Sequence, residues 1–333
     1  MKRLILTVVL GLALITLFCP TGRADEFVRG VYPATPPSAF TLYAFDRDLL
    51  GAWNTPLFAY EKKYIPEKYQ DLPILGGWYG QGFVPDREAL MGSGLKKAFM
   101  VANSYFNIER IRDALNEMGL TLQTAPDGVE NLPQTFRTMG QVFNRPERGE
   151  ELAVYAEKAL TSLKNHTDKL TGVRPRVYFA MSADGLATSC PGEQRSNFIA
   201  IAGGQNAMIC DDSIKAGRPR ISFEQLITMD PDVILAESYA LKKEMDSGGR
   251  WGKLRAAKEG RVYLLPRGPF SWNGHPTLTT LMGARFLANA LNPTLYPLAI
   301  VPEAQEFNRL FFRVEMTEQM VKELLDPSLA SDE

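Results

Sequence analysis

One stretch divides the chain. From Pro146 to Gly172, apolar residues fall at Leu152, Tyr155, Ala156, Ala159, Leu160 and Leu163, the i, i+3, i+4, i+7 spacing of a helix with one apolar face. Pro146 suits the first helical position, where a missing N–H costs nothing, and Gly172 suits a stop. At about 1.5 Å per residue the predicted helix reaches roughly 40 Å, longer than one small lobe. It can therefore act as a rigid strut between two. His166 falls on the same face and reads as a packed or boundary histidine.

On both sides of this segment, strand-like and helix-like pieces alternate. Lys97 to Ala102 (KAFMVA) is a short apolar strand, and Asn107 to Met118 a helix with Ile108, Ile111, Leu115 and Met118 on one face. After the divider, Arg176 to Met181, Asp232 to Ala236 and Arg261 to Leu265 read as strands. Phe223 to Met229 and Thr277 to Leu291 read as helices. Strands alternating with helices predict an α/β architecture. A faint echo links the halves. Glu88-Ala89-Leu90 precedes a strand ending in Ala-Asn-Ser-Tyr105, and Glu224-Gln225-Leu226 precedes one ending in Ala-Glu-Ser-Tyr239. Placed around a strut, the echo suggests two similar lobes that face each other.

The N-terminus reads as a targeting segment. Lys2 and Arg3 precede an uncharged run from Leu4 to Phe18, too short for a comfortable membrane span. Gly22-Arg23-Ala24 then puts small residues at −3 and −1 of a signal-peptidase site, so residues 1–24 are expected to be a signal cleaved after Ala24. A lipoprotein signal with Cys19 as the modified residue is the rival, disfavoured by the bulky Phe18, and a retained N-terminal anchor is a second. No later run reaches the roughly 18 apolar residues of a spanning helix. The chain from Asp25 to Glu333 is thus expected to be exported and soluble. Export leaves Cys190 and Cys210, an even pair in an oxidising compartment, which favours a disulfide over two buried thiols.

Composition removes several function classes. The 37 Lys and Arg balance 38 Asp and Glu, so no cationic excess is available to neutralise a nucleic-acid backbone. There is no G-x-S-x-G, H-E-x-x-H or P-loop. Of two histidines only His275 lies in a predicted loop. No catalytic residue is nominated, and two cysteines and two histidines far apart do not make a metal site. The loops are instead rich in glycine and aromatics: Gly76-Gly77-Trp78-Tyr79-Gly80-Gln81-Gly82, Tyr105-Phe106, and Gly268-Pro269-Phe270-Ser271-Trp272-Asn273-Gly274-His275-Pro276. Glycine lets backbone approach a ligand, and aromatic rings offer flat contact surface with a polar tip. Core or lobe-interface packing is the alternative reading of the same rings. The loop Ser182 to Gly192 follows a predicted strand, where ligands gather in open α/β sheets, and Arg195 just beyond it can add positive charge.

Several of these pieces, in this order, resemble the substrate-binding proteins of iron-chelate and cobalamin ABC importers. They are RVYFAMSADGLATSCPG (176–192), AGGQNA (202–207), FEQLITMDPDVILA (223–236) and WNGHP (272–276), with PPS (36–38), LPILGGWYGQG (72–82) and RPER (145–148) upstream. The likeness covers about residues 30 to 325. Gly92-Ser93-Gly94-Leu95-Lys96 departs from the L-x-P-D usual there, so the first lobe matches more loosely. The resemblance implies two Rossmann-like lobes, 25–145 and 173–333, joined by a single long backbone helix (146–172), with the ligand cleft between them.

The expected function is capture of a metal chelate (ferric siderophore, haem or corrinoid) and delivery to an inner-membrane ABC permease. A molybdate or tungstate carrier of the same fold is the alternative, and an exported enzyme or metallochaperone a more distant one. No cofactor, no nucleic acid and a monomer are expected. The ligand residues implied are Trp78, Tyr79, Tyr105, Ser189, Tyr239, Trp272 and His275. Glu88 and Glu224 match the positions at which one surface glutamate per lobe docks to the permease.

Overall fold

Every central strand is an almost wholly apolar run, because helices cover both faces of each sheet. The computed structural model describes residues 30–79, 83–102, 106–210, 218–273 and 278–329. The first half runs β1 (Val31–Pro33), α1 (Pro36–Asp46), α2 (Ala59–Lys62), α3 (Glu67–Gln70), α4 (Arg87–Gly92), β2 (Lys97–Ala102), α5 (Ile108–Glu117), β3 (Thr121–Pro126) and α6 (Leu132–Val142). The long helix α7 (Pro146–Asp168) follows. The second half runs β4 (Arg176–Ala180), α8 (Asn197–Ile201), β5 (Gln205–Asn206), α9 (Phe223–Met229), β6 (Val233–Ala236), α10 (Tyr239–Asp246), α11 (Arg255–Lys258), β7 (Val262–Leu264), α12 (Leu278–Leu291), α13 (Ile300–Phe307) and α14 (Glu318–Leu325).

The strands form two parallel sheets, ordered β1-β2-β3 and β5-β4-β6-β7. Val31 lies opposite Lys97 and Lys97 opposite Thr121 in the first. Val177 lies opposite Val233, and Ile234 opposite Val262, in the second. Side chains alternate between faces along a strand. Phe99 and Val101 of β2 enter a central core, whereas Ala98 and Met100 enter an outer one with Leu90, Ile111 and Leu115. In the second sheet, Phe179 and Leu235 point to the central core, and Tyr178 and Ile234 to an outer core around Trp251. Parallel sheets need this cover on both sides.

The central core is continuous between the halves. It holds Phe99 from the first sheet, Leu152, Ala156 and Leu163 from α7, Phe179 from the second, and Leu281 and Leu287 from α12. Helix α7 packs on α6 in one half and on α8 and α12 in the other. It ends at Asp168, short of Gly172, because the chain tightens there: Lys169 and Leu170 donate to the carbonyls of His166 and Thr167, three residues back. The C-terminal helices return to the first half. Phe311 meets Phe136 at 5.6 Å between ring centroids, and Arg148 on α7 ties Ala44 O to Leu310 O through its Nη2.

Candidate functional site

A cavity of about 210 Å³ lies between the halves. The first half supplies Phe40 of α1 and Phe58, Tyr60 and Glu61 at α2. The second supplies Arg195, Arg218, Glu237, Arg267, Phe270, Ser271 and Thr279. Most of these second-half residues sit in loops after strands, at the carboxyl edge where open α/β sheets bind ligands: Glu237 directly follows β6, and Arg267 to Ser271 follow β7. Three guanidinium groups therefore share one small cavity with two carboxyl groups.

Several of these charges are held in place. The Arg195 carbonyl accepts from Asn273 Nδ2 at 2.7 Å, which fixes the backbone beneath the guanidinium. Burial, and then the like charge of Arg218, lower the Arg195 pKa. Arg267 places its guanidinium carbon 5.7 Å from the Tyr60 ring centroid. Its Nε is buried without a partner among the described residues. Glu61 is 3% exposed, and its Oε2 accepts from Phe58 N at 2.8 Å. Burial pushes its carboxyl up to about 7, against the Phe58 N–H, Tyr60 and Arg267, which lower it. Glu237 Oε2 accepts from Ser182 N at 3.3 Å. With Glu61 partly protonated near neutrality, the cavity is net cationic and suited to an anion.

A second cavity, of about 240 Å³, adjoins the first through the shared Tyr60 and Arg267. Tyr64, Tyr239, Leu264, Leu265 and Leu324 give it a more apolar wall. Cys190 and Cys210 are disulfide-bonded, with Cα atoms 5.8 Å apart. The bond anchors the start of the loop that carries Arg195.

The predicted ligand residues scatter. Tyr239, the first residue of α10, lines the second cavity. Trp272 does not face the cleft: it is 1% exposed and packs against Phe286 in the central core. The cause is Gly283 on α12, whose missing side chain lets the loop press close; a Cβ there would meet Trp272 O at 2.3 Å. Ser189 is fully buried, and its hydroxyl donates to Glu193 Oε2 at 2.6 Å, so it closes a turn and does not line the cavity. Trp78 packs half-buried on the outer core of the first half, and Tyr79 stacks on Phe83 at 4.6 Å. Neither belongs to the cavity wall described above. Tyr105 and His275 lie outside the described residues.

Glu88 and Glu224 are both exposed, each the second residue of a short helix, α4 and α9. Asp86 and Ser222 cap those helices by accepting from Ala89 N and Gln225 N. Sequence reasoning missed Tyr60, Glu61, Arg218, Glu237 and Arg267. Of these only Arg267 carried a local signal, one residue before the glycine-rich aromatic loop. Among the described residues no group of three or more His, Cys, Asp or Glu could hold a metal ion, and no helix is long and apolar enough to cross a membrane.

Comparison with known proteins fixes the family. Residues 107–268 match the model of the periplasmic binding protein family. The solved ABC transporter solute binding protein of Sulfurospirillum deleyianum superposes with a TM-score of 0.83 and is 30% identical, over 90% of this chain and 94% of that one. A vitamin B12-binding protein of Vibrio parahaemolyticus is 23% identical over 79% of this chain and 90% of its own length. The molybdate-binding protein MolA of Haemophilus influenzae is 28% identical over 49% of this chain and 46% of its own. Two parallel sheets bridged by one long helix, an interlobe cavity and these similarities together place the chain among the solute-binding proteins of ABC transporters, with the helical-backbone fold of periplasmic binding proteins.

Proposed function

We propose that this protein captures an anionic metal chelate and delivers it to an inner-membrane ABC permease. The observation that carries the reading is the convergence of Arg195, Arg218 and Arg267 on one interlobe cavity. Guanidinium groups present forked donors that match carboxylate, catecholate and oxyanion geometry. The charged groups of the chelate enter this cavity, and its bulk lies along the apolar wall that Tyr239 and Tyr64 provide next door. A neutral corrinoid makes poor use of three arginines. The protein acts by binding and hand-over, after export with cleavage at Ala24, and Glu88 and Glu224 present one acidic contact per lobe to the two permease subunits.

A bare oxyanion is the second reading. The cavity volume of about 210 Å³ is below the range of pockets that enclose drug-sized ligands and leaves an oxyanion well surrounded. The similarity to a molybdate-binding protein favours it too.

Calorimetric titration with an anionic ferric chelate, molybdate and cyanocobalamin tests the proposal. Tight binding of the ferric chelate that Arg195→Ala weakens supports it. Tighter binding of molybdate selects the second reading. Corrinoid binding that is indifferent to Arg195→Ala would refute both.

A further inference from the structure

Two carboxyl groups in a cavity built from three arginines call for an explanation. An ionised carboxylate cancels one guanidinium and repels the anion that the others attract. Yet Glu61 and Glu237 are built in: each accepts a backbone N–H, from Phe58 and Ser182 respectively. Glu61 is almost fully buried, and its walls are polar only in places, with Phe40 and Phe58 beside it.

A carboxylate is an acceptor, so a ligand must bring a donor to meet it; a protonated carboxyl is itself a donor and can meet a bare anionic oxygen. We infer that Glu61 is the selectivity residue of the cavity, favouring anions that carry their own hydroxyl or other hydrogen-bond donor and admitting fully deprotonated anions only together with a proton. The inference rests on reading the cavity as an anion site.

The groups around Glu61 agree with this role. Tyr60 on its own helix, and Arg267 from the loop after β7, stabilise the ionised form. Glu237 after β6, Arg195 and Arg218 complete the charged wall. Desolvation outweighs the stabilising contacts and leaves the carboxyl titrating at about 7. A donor-less anion then competes with the ionised carboxylate, and only the protonated fraction is competent. Apparent affinity falls in proportion to that fraction, about tenfold per pH unit above the midpoint.

Calorimetry of the mature protein with molybdate and with inorganic phosphate separates the cases. Molybdate carries no proton in the neutral range, and phosphate always carries at least one. Titration in buffers of different ionisation enthalpy counts the protons exchanged. The expected result is uptake of about one proton per molybdate above neutral pH, with affinity falling about tenfold per pH unit. Phosphate should bind with less uptake. Glu61→Gln should abolish the uptake, flatten the pH profile for molybdate and narrow the preference for phosphate. Wild-type protein that binds molybdate without taking up a proton would overturn the inference, whether or not the variant folds. Arg195→Ala tests the underlying reading separately: Arg195 lines the cavity but is not among the groups that shift Glu61, so its loss should weaken both anions alike. If neither anion binds wild-type protein, the inference falls, while titration with the anionic ferric chelate decides the underlying anion reading on its own.

Discussion

The guanidinium of Arg267 stands over the ring of Tyr60, 5.7 Å from its centroid, and this contact joins the two halves of the molecule at the cavity wall. Arg267 thus touches the first half and lines the cavity. Removing it takes a charge-assisted donor from the proposed anion site and leaves most of the core intact. Arg267→Ala should weaken anion binding by about 1.5–3 kcal/mol, roughly ten- to a hundredfold in Kd. The melting temperature should change little. Isothermal titration and thermal unfolding of the same samples check both parts, and parallel losses would reassign Arg267 to structure.

Phe270 should behave in the opposite way. It is 3% exposed and reaches from the second half into aromatic rings of the first, 4.5 Å from Phe40 and 5.8 Å from Tyr43, with Phe312 at 5.1 Å. Truncating such a ring typically costs about 3–5 kcal/mol. Phe270→Ala should therefore lower denaturant midpoints strongly, while Phe270→Leu recovers most of the loss.

Helices α6 and α7 approach through two glycines. A Cβ on Gly149 would stand 2.6 Å from Phe136 O and 2.9 Å from Gly140 Cα. Neither backbone atom can yield without moving a helix. Gly149→Ala would favour the isolated helix by up to about 1 kcal/mol, but the clash reverses that sign, with a net cost of about 1–3 kcal/mol. A stabilised variant in urea titration would show that the helices separate freely.

Much of this architecture was legible because burial and periodicity coincide. KAFMVA reads as a strand since both of its faces are covered, and Asn107 to Met118 reads as a helix since only one of its faces is. Helix α1 offers no such signal: it is buried on nearly all sides, so Phe40, Leu42, Tyr43 and Phe45 carry no period. Strand β3 is half polar and reads as neither. The site was harder to read for a different reason. Arg195, Arg218 and Arg267 lie far apart in sequence and meet only once the second sheet is folded. Trp272 misled because a glycine-rich aromatic loop looks the same whether its ring meets a ligand or, as here, a helix opened by Gly283.

His166 gives stability a pH dependence. It is 3% exposed on α7, 5.2 Å from the Tyr296 ring, and burial lowers its pKa, with the nearby Ala202 backbone opposing this in part. A depressed folded-state value means that the unfolded chain takes up the proton first. Stability is therefore whole above the ordinary histidine value of about 6.5 and falls as pH drops from there towards the folded value. Melting temperatures across this window should decline more steeply for wild type than for His166→Gln, and equal slopes would remove His166 as the cause.

Docking is the last test. Glu88 and Glu224 are exposed, each one residue inside a capped helix, in different halves. The N-terminal end of a helix favours a negative charge. Backbone N–H and Ser222 contacts lower the Glu224 pKa further. Leu90 of α4 and Leu226 of α9 anchor the two helices in the outer cores of their halves, and in the proposed docking the pair offers one acidic point per half to a two-subunit permease. Charge pairs at such a rim set association rate and register more than affinity. Glu88→Arg and Glu224→Arg should each leave ligand titrations unchanged, reduce uptake in cells and slow capture by permease vesicles at low salt. The double variant should lose more than either single one. Because neither side chain touches the cavity, a fall in ligand affinity would point to misfolding, and normal uptake by the double variant would exclude docking through these residues.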